Sequence, residues 1–149
     1  MICIHILNGP NLNLLGQREP NLYGNRSMSD FLVELKQRFP GHAIELFQAN
    51  REDALIDLLH ESAQKAHAVV LNAGAYTHTS LALGDAVKAI DIPVVEVHIS
   101  NVFSREEVRH HSFIAAGCIG SIAGFGLESY ALAVQYLVGL TQKKSGLQT

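Results

Sequence analysis

Cysteines, basic clusters and long apolar runs are few or missing in this 149-residue sequence. The two cysteines, Cys3 and Cys118, are too few for a disulfide framework, and since both lie in apolar runs we expect buried, reduced thiols. A net charge of −3 and a single basic pair, Lys143-Lys144, argue against a nucleic-acid-binding face. No apolar stretch approaches about 18 residues, and no charged segment precedes an apolar signal core. The sequence therefore predicts a cytoplasmic protein that binds neither nucleic acid nor a membrane.

Motifs for metal, phosphate and covalent catalysis are also missing. The sequence has no HExxH motif, no paired CxxC motifs, no GKS or GKT phosphate loop and no GxSxG elbow. The side chains that could be considered for a metal are His78, His98, His110, His111 and Asp85. Because two adjacent histidines cannot easily face one ion, we predict no metal in this group and no other cofactor.

Short apolar runs alternate with segments of helical periodicity, which predicts one α/β domain over residues 1–149. The predicted strands span residues 2–7, 42–49, 68–71, 93–99 and 119–123. Near-continuous apolar strands imply a parallel sheet with helices on both faces, which is a three-layer sandwich. Five such strands suit the flavodoxin-like order 2-1-3-4-5.

Polar residues ahead of the helical segments predict where helices begin. Residues 27–30 (SMSD) supply N-cap candidates for the first helix, and Asn50 is a candidate N-cap for the next. Residues 104–107 (SREE) match a capping box, which predicts a short helical turn that carries Arg105 and Arg109.

Three polar segments follow the first, third and fourth predicted strands. Asn8 and Asn11 follow the first strand, residues 72–78 follow the third and residues 98–109 follow the fourth. In a doubly wound sheet these segments meet at one edge, where ligands bind. No lysine lies in them, which disfavours a Schiff-base mechanism. The sequence therefore predicts non-covalent acid/base chemistry on a small polar anion.

The glycine-rich residues 124–129 (GFGLES) raise a competing interpretation, a flavodoxin-like module that binds a nucleotide or a flavin. They nearly match the dinucleotide fingerprint. However, they follow the last predicted strand, and serine stands at the third glycine position. The start of a helix is the better interpretation of this segment.

The segment at residues 8–24 (NGPNLNLLGQREPNLYG) is long, irregular and rich in Asn, Gly and Pro, yet it has apolar anchors. We predict that residues 16–24 form a lid that carries Arg18 and Tyr23. A guanidinium about 4 Å from a phenolate contributes roughly 4 kcal/mol at an effective dielectric of about 20, although desolvation opposes part of this. Tyr23 is thus a candidate general base.

Glu96 and His98 are two residues apart on a predicted strand, so their side chains point to the same side. A carboxylate beside the ring would fix its tautomer and favour its protonated form, which makes His98 a candidate acid. The other alternative to an enzyme is a catalytically silent oligomeric scaffold. The presence of Arg18, Tyr23 and His98 together argues against it.

The motifs that carry these residues resemble a known family, the type II 3-dehydroquinate dehydratases. The matching segments are NGPNLNLLGQREPNLYG at 8–24, NAGAYTHTS at 72–80, EVHISN at 96–101 and REEVRHHS at 105–112. Family members dehydrate 3-dehydroquinate to 3-dehydroshikimate in the shikimate or quinate pathway, without a metal or an organic cofactor. The resemblance implies the same activity here.

The resemblance also implies roles for the acid/base residues. Tyr23 would remove a proton from C2 of the substrate, and Arg18 would favour its phenolate and help to close the lid. Asn11 would stabilise the enolate intermediate. His98, oriented by Glu96, would protonate the departing C1 hydroxyl.

Substrate-binding roles follow by the same matching. Asn72 and the backbone N–H groups of Ile99 and Ser100 would bind the carboxylate of 3-dehydroquinate. His78 and Arg109 would contact the ring hydroxyls.

The remaining implications concern the assembly. Asp85 would reach into the site of a neighbouring subunit, and Arg105 would take part in the lid region. Members of this family assemble as trimers gathered into dodecamers, so a homo-oligomer is expected.

Overall fold

The computed structural model describes residues 1–17, 21 and 25–146. Most of the predicted lid, including Arg18 and Tyr23, lies outside the described residues. No helix in the described ranges is long and apolar enough to cross a membrane.

Five parallel strands form the central sheet. They are β1 (Cys3–Asn8), β2 (Ala43–Gln48), β3 (Ala68–Asn72), β4 (Val94–His98) and β5 (Gly120–Ala123). Their order is β2-β1-β3-β4-β5, which confirms the predicted doubly wound order. Each observed strand overlaps its predicted segment, because near-continuous apolar runs are typical of strands buried on both faces.

In the part of the chain that the structure describes, four α-helices cover the two faces of the sheet. They are α1 (Met28–Arg38), α2 (Glu52–Lys65), α3 (Leu81–Ala89) and α4 (Glu128–Gly146). Strand side chains alternate between the two faces, so Ile4 and Ile6 of β1 pack with α1 and α4, whereas Leu7 packs with α2 and α3. Short 3-10 turns at Leu12–Leu14, Gly74–His78, Val102–Ser104 and Glu107–His110 occupy the loops after β1, β3 and β4.

One of the predicted cap candidates of α1 is confirmed, and the predicted cap of α2 is wrong. Ser27 Oγ accepts a hydrogen bond from the Asp30 N–H at 3.1 Å. Asn50 does not cap α2, whose N-cap is Arg51 without a side-chain hydrogen bond. Asn50 Oδ1 instead accepts from the Asn11 N–H at 3.1 Å, because β2 ends beside the loop that follows β1.

The predicted capping box at residues 104–107 is also wrong. Ser104 Oγ donates to the Asn101 carbonyl at 2.8 Å, and Asn101 caps the turn Val102–Ser104 by accepting from the Phe103 N–H. The helical turn that carries Arg109 begins after Glu106, without a side-chain cap. The turn therefore exists, but Arg105 lies between two turns instead of inside one.

Candidate active site

A cavity of about 100 Å³ opens at the C-terminal ends of β1, β3 and β4. The predicted site residues that line it are Asn11, Asn72, His78, His98, Ile99, Ser100, Arg105 and Arg109. The cavity lies where the chain order of the strands reverses, so the topology itself brings the three polar segments together. Asp85 is exposed on α3 and does not line this cavity.

The Glu96–His98 pair forms as predicted. His98 Nε2 lies 2.6 Å from Glu96 Oε1, and Glu96 is only 2% exposed. Burial opposes ionisation of this carboxyl group, but hydrogen bonds from His98, Ser121 and Ser112 outweigh it and lower the pKa of Glu96. Because an ionised carboxylate can only accept hydrogen bonds, His98 Nε2 carries a proton and Nδ1 is the nitrogen left to exchange one with a ligand.

The sequence patterns did not predict that two serines support this pair. Ser112 Oγ donates to Glu96 Oε1, and Ser121 Oγ donates to Glu96 Oε2, both at 2.9 Å. Ser121 is the direct partner of Glu96 in the register of β4 with β5. A hydroxyl in the short, otherwise apolar β5 was the signal that could have pointed to it.

His78 is held beside His98. The two rings stack with centroids 6.0 Å apart, and His78 Nδ1 donates to the His111 carbonyl at 2.8 Å. Burial lowers the pKa of His78, and the nearby charges of His98 and Arg109 act in the same direction. The neutral His78 ring therefore presents Nε2 as an acceptor, which suits a hydroxyl group on a ligand.

A buried tyrosine orders the floor of the cavity. Only the helical periodicity around it was visible in the sequence, and that pattern does not predict its polar contacts. Tyr130 of α4 is fully buried; its hydroxyl donates to Asn8 Oδ1 and accepts from Asn72 Nδ2, both at 2.8 Å. Asn72 Oδ1 accepts from the Gly74 N–H, which fixes the orientation of the amide. Burial raises the pKa of Tyr130, so it acts as a neutral hydrogen-bonding group and not as a base.

Asn11 occupies an uncommon backbone conformation at the rim of the cavity. Its φ angle of 70° is left-handed, a region that asparagine tolerates better than most residues. Asn50 Oδ1 accepts from its N–H group, and Gln48 Nε2 donates to the Gly9 carbonyl at 2.8 Å. Two side chains at the end of β2 thus hold the start of the loop that bears Asn11.

Two arginines give the cavity a positive wall. Arg105 Nη1 lies 3.3 Å from Ser100 Oγ, and Arg109 Nε lies 3.4 Å from Glu106 Oε1. Guanidinium groups pair well with carboxylates, so this wall suits an anionic ligand.

The glycine-rich residues 124–129 serve the fold. Gly124 has a φ angle of 96°, and a Cβ atom there would lie 3.1 Å from the Asn101 side chain. Ser129 is buried and accepts from the Phe125 N–H at 3.2 Å. These contacts support a tight turn into α4, as predicted, in preference to a dinucleotide site.

A doubly wound sheet with an imidazole–carboxylate pair beside a positive wall is the architecture of an acid/base enzyme that acts on a small anion. Residues 2–138 match the family model described as dehydroquinase class II, and the chain belongs to this family. The resemblance seen in the sequence motifs is thereby confirmed.

Known relatives match nearly the whole chain. It is 54% identical over 140 residues to the 3-dehydroquinate dehydratase of Rhizobium johnstonii, with 93% of this chain and 97% of the relative covered. It is 57% identical over 136 residues to that of Exiguobacterium sp., with 91% and 93% covered. The crystal structure of type II dehydroquinase from Propionibacterium acnes aligns with a TM-score of 0.87 at 40% identity, covering 92% of this chain and 96% of the other.

Proposed function

We propose that this chain is a 3-dehydroquinate dehydratase, a hydro-lyase that converts 3-dehydroquinate to 3-dehydroshikimate, the third step of the shikimate pathway. The observation that carries the proposal is the buried Glu96–His98 pair at an arginine-lined cavity in a chain of this family. Such a pair can give a proton to a departing hydroxyl group. The names of the relatives support the same substrate.

The first step is removal of a proton from C2 of the substrate, next to the ketone. Tyr23 acts as the base in its phenolate form. Because the pKa of an ordinary tyrosine is about 10, this form needs the stabilisation that Arg18 supplies. The electron pair of the C–H bond moves to the ketone oxygen and forms an enolate. Asn11, at the rim of the cavity, stabilises this developing charge.

The second step is loss of the hydroxyl group at C1. The enolate electrons re-form the ketone, a C1–C2 double bond forms and the C1–O bond breaks. The doubly protonated His98 ring gives its Nδ1 proton to the departing oxygen, so that water leaves. Glu96 keeps the Nε2 proton and holds the ring in orientation. The elimination is anti, and no Schiff base forms.

Substrate binding uses the other groups around the cavity. Asn72 and the backbone N–H groups of Ile99 and Ser100 bind the carboxylate, and His78 and Arg109 contact the ring hydroxyls. All five residues line the cavity, which supports these assignments.

We further propose that the protein works in the cytoplasm as a homo-oligomer, a dodecamer built of trimers. In this assembly Asp85 reaches into the site of a neighbouring subunit. Its exposure on α3 is compatible with that role.

The direct test is to add 3-dehydroquinate to the purified protein and follow the ultraviolet absorbance of the conjugated product. We expect turnover that persists in EDTA and in borohydride, since the route needs neither a metal nor an imine. Absence of product with folded wild-type protein would overturn the proposed activity.

The base assignment is tested by Tyr23→Phe. We expect kcat to fall at least about 100-fold with little change in substrate binding, because the phenol supplies general-base catalysis. Tyr136→Phe, at an exposed tyrosine of α4, is the matched control and should keep wild-type kcat. Near-wild-type turnover by Tyr23→Phe would remove Tyr23 from this role.

A further inference from the structure

Three side chains with metal-binding atoms meet on the sheet face covered by α2. Cys3 and His5 are two residues apart on β1, and Glu45 of β2 is the direct partner of His5. One ligand atom from each lies within 4.8 Å of the other two. Cys3 Sγ is 3.8 Å from Glu45 Oε1, whereas these atoms on one tetrahedral zinc would be roughly 3.5 Å apart. Cys3 and Glu45 are therefore near coordination distance, and a ring nitrogen of His5 lies within 4.8 Å of both.

Hydrogen bonding holds the His5 ring in the form that a metal requires. Ser62 Oγ donates to the Leu58 carbonyl at 2.7 Å, so it can only accept from His5 Nδ1, which is 2.9 Å away. Nδ1 therefore carries the ring proton and Nε2 keeps its lone pair. Metal-bound histidines usually have such a hydrogen-bonded N–H group.

Two members of the cluster, His5 and Glu45, line a second cavity that is open to solvent. This cavity has a volume of about 210 Å³, and His5, Glu45, Glu61 and Lys65 are among its lining residues. A water molecule takes about 30 Å³ of liquid volume, so an ion and its water fit. Glu45 is exposed and Cys3 is half-buried, which gives an ion a route to the ligands.

We propose that Cys3, His5 and Glu45 form a zinc-binding site, with solvent water as the fourth ligand. Thiolate, imidazole and carboxylate are the protein ligands of Zn²⁺, whereas Mg²⁺ and Ca²⁺ take oxygen ligands. On binding, the S–H bond of Cys3 breaks, its electron pair bonds to zinc and the proton passes to the buffer. The ion joins β1 to β2 and takes no part in the dehydration, whose residues lie at the other end of β1.

The test uses Co²⁺ as a spectroscopic probe for Zn²⁺ in reduced, untagged, chelator-treated protein. We expect one equivalent of Co²⁺ to produce a thiolate-to-cobalt charge-transfer band that Zn²⁺ removes. Cys3→Ser should abolish this band and weaken Zn²⁺ binding at least about tenfold. Cys118→Ser is the matched control and should keep the band, since Cys118 is not part of the Cys3–His5–Glu45 group.

Glu45→Gln is a second variant, at an exposed position that tolerates the change. It should keep the thiolate band and bind Zn²⁺ about tenfold more weakly. The site is overturned by a wild-type protein without the band, by a band that survives Cys3→Ser, or by equal Zn²⁺ affinities in wild type and Glu45→Gln. Dehydratase turnover in EDTA is measured separately, so loss of that activity does not decide this test.

Discussion

At the scale of single residues, Tyr130 offers a test of how the cavity floor is ordered. Tyr130→Phe keeps the packing of the ring but leaves Asn8 Oδ1 and Asn72 Nδ2 without their partner. Each lost hydrogen bond is worth about 1 kcal/mol, so the free energy of unfolding should fall by about 1–3 kcal/mol. If Asn72 binds the carboxylate, KM should rise about tenfold while kcat changes less.

Steady-state kinetics and urea unfolding measure the two effects of Tyr130→Phe. Tyr136→Phe, which removes an exposed hydroxyl from the same helix, should change neither. A loss of stability with an unchanged KM would show that Tyr130 supports the fold without positioning Asn72.

Glu96 should link stability to pH. Its pKa is lowered in the folded protein, where burial is outweighed by the hydrogen bonds of His98, Ser121 and Ser112. The ionised carboxylate therefore stabilises the fold above the ordinary value of 4.5, and this contribution is lost as the pH falls through the lower folded pKa. Glu96→Gln should remove this part of the fall in the free energy of unfolding at low pH. The same variant should lower kcat about 100-fold at pH 7.

Urea unfolding of Glu96→Gln at pH 7 and below pH 4.5 measures this linkage. Glu61→Gln, at an exposed glutamate of α2, should keep the wild-type dependence. If the free energy of unfolding falls with pH equally in Glu96→Gln and wild type, Glu96 is not the group that links stability to pH.

At the scale of elements, the end of β2 should control the loop after β1. Asn50→Ala removes the acceptor of the Asn11 N–H group, so Asn11 should leave its left-handed conformation more often. We expect kcat to fall about tenfold, as for the loss of one net hydrogen bond at a reacting group. Asn50→Asp keeps an acceptor oxygen and should restore most of the rate; equal rates in the two variants would exclude this mechanism.

The same loop shows why local patterns predicted strands better than caps. A strand is specified by a run of apolar side chains, and each of the five predicted runs overlaps an observed strand. A cap depends on which partner a polar side chain meets. Asn50 has the right residue type for an N-cap, but β2 delivers it to Asn11, which is distant in sequence. Ser104 likewise bonds back to Asn101 instead of forward into its turn.

At the scale of the whole molecule, the gathering of the site was predictable and its supports were not. The order of the strands places Asn72 and His98 at one edge of the sheet. Their positions at the ends of apolar runs predicted this shared edge. Ser121 meets Glu96 because of the register between β4 and β5. Tyr130 meets Asn72 because α4 packs under the end of β3. Such contacts join segments far apart in the sequence, so no spacing in it reveals them. Arg18 and Tyr23 stay predictions.

The proposed assembly has its own test in Asp85. If its carboxylate completes a neighbouring site, Asp85→Asn should lower kcat/KM about tenfold or more, because a charge-assisted hydrogen bond is worth about 1.5–3 kcal/mol. Asp57→Asn, on α2, serves as the control. Sedimentation velocity reports the oligomer size of each variant. Wild-type kcat/KM in an intact Asp85→Asn oligomer would exclude the shared site.

The support that Ser121 gives to Glu96 ties chemistry to the margin of the sheet. β5 pairs only with β4 in the described sheet, and its first two residues are exposed. When this edge strand opens, Glu96 loses the hydrogen bond from Ser121 and His98 is held less firmly. A partner that binds along the edge of β5 would therefore favour the active arrangement. Faster amide exchange in β5 should accompany slower turnover.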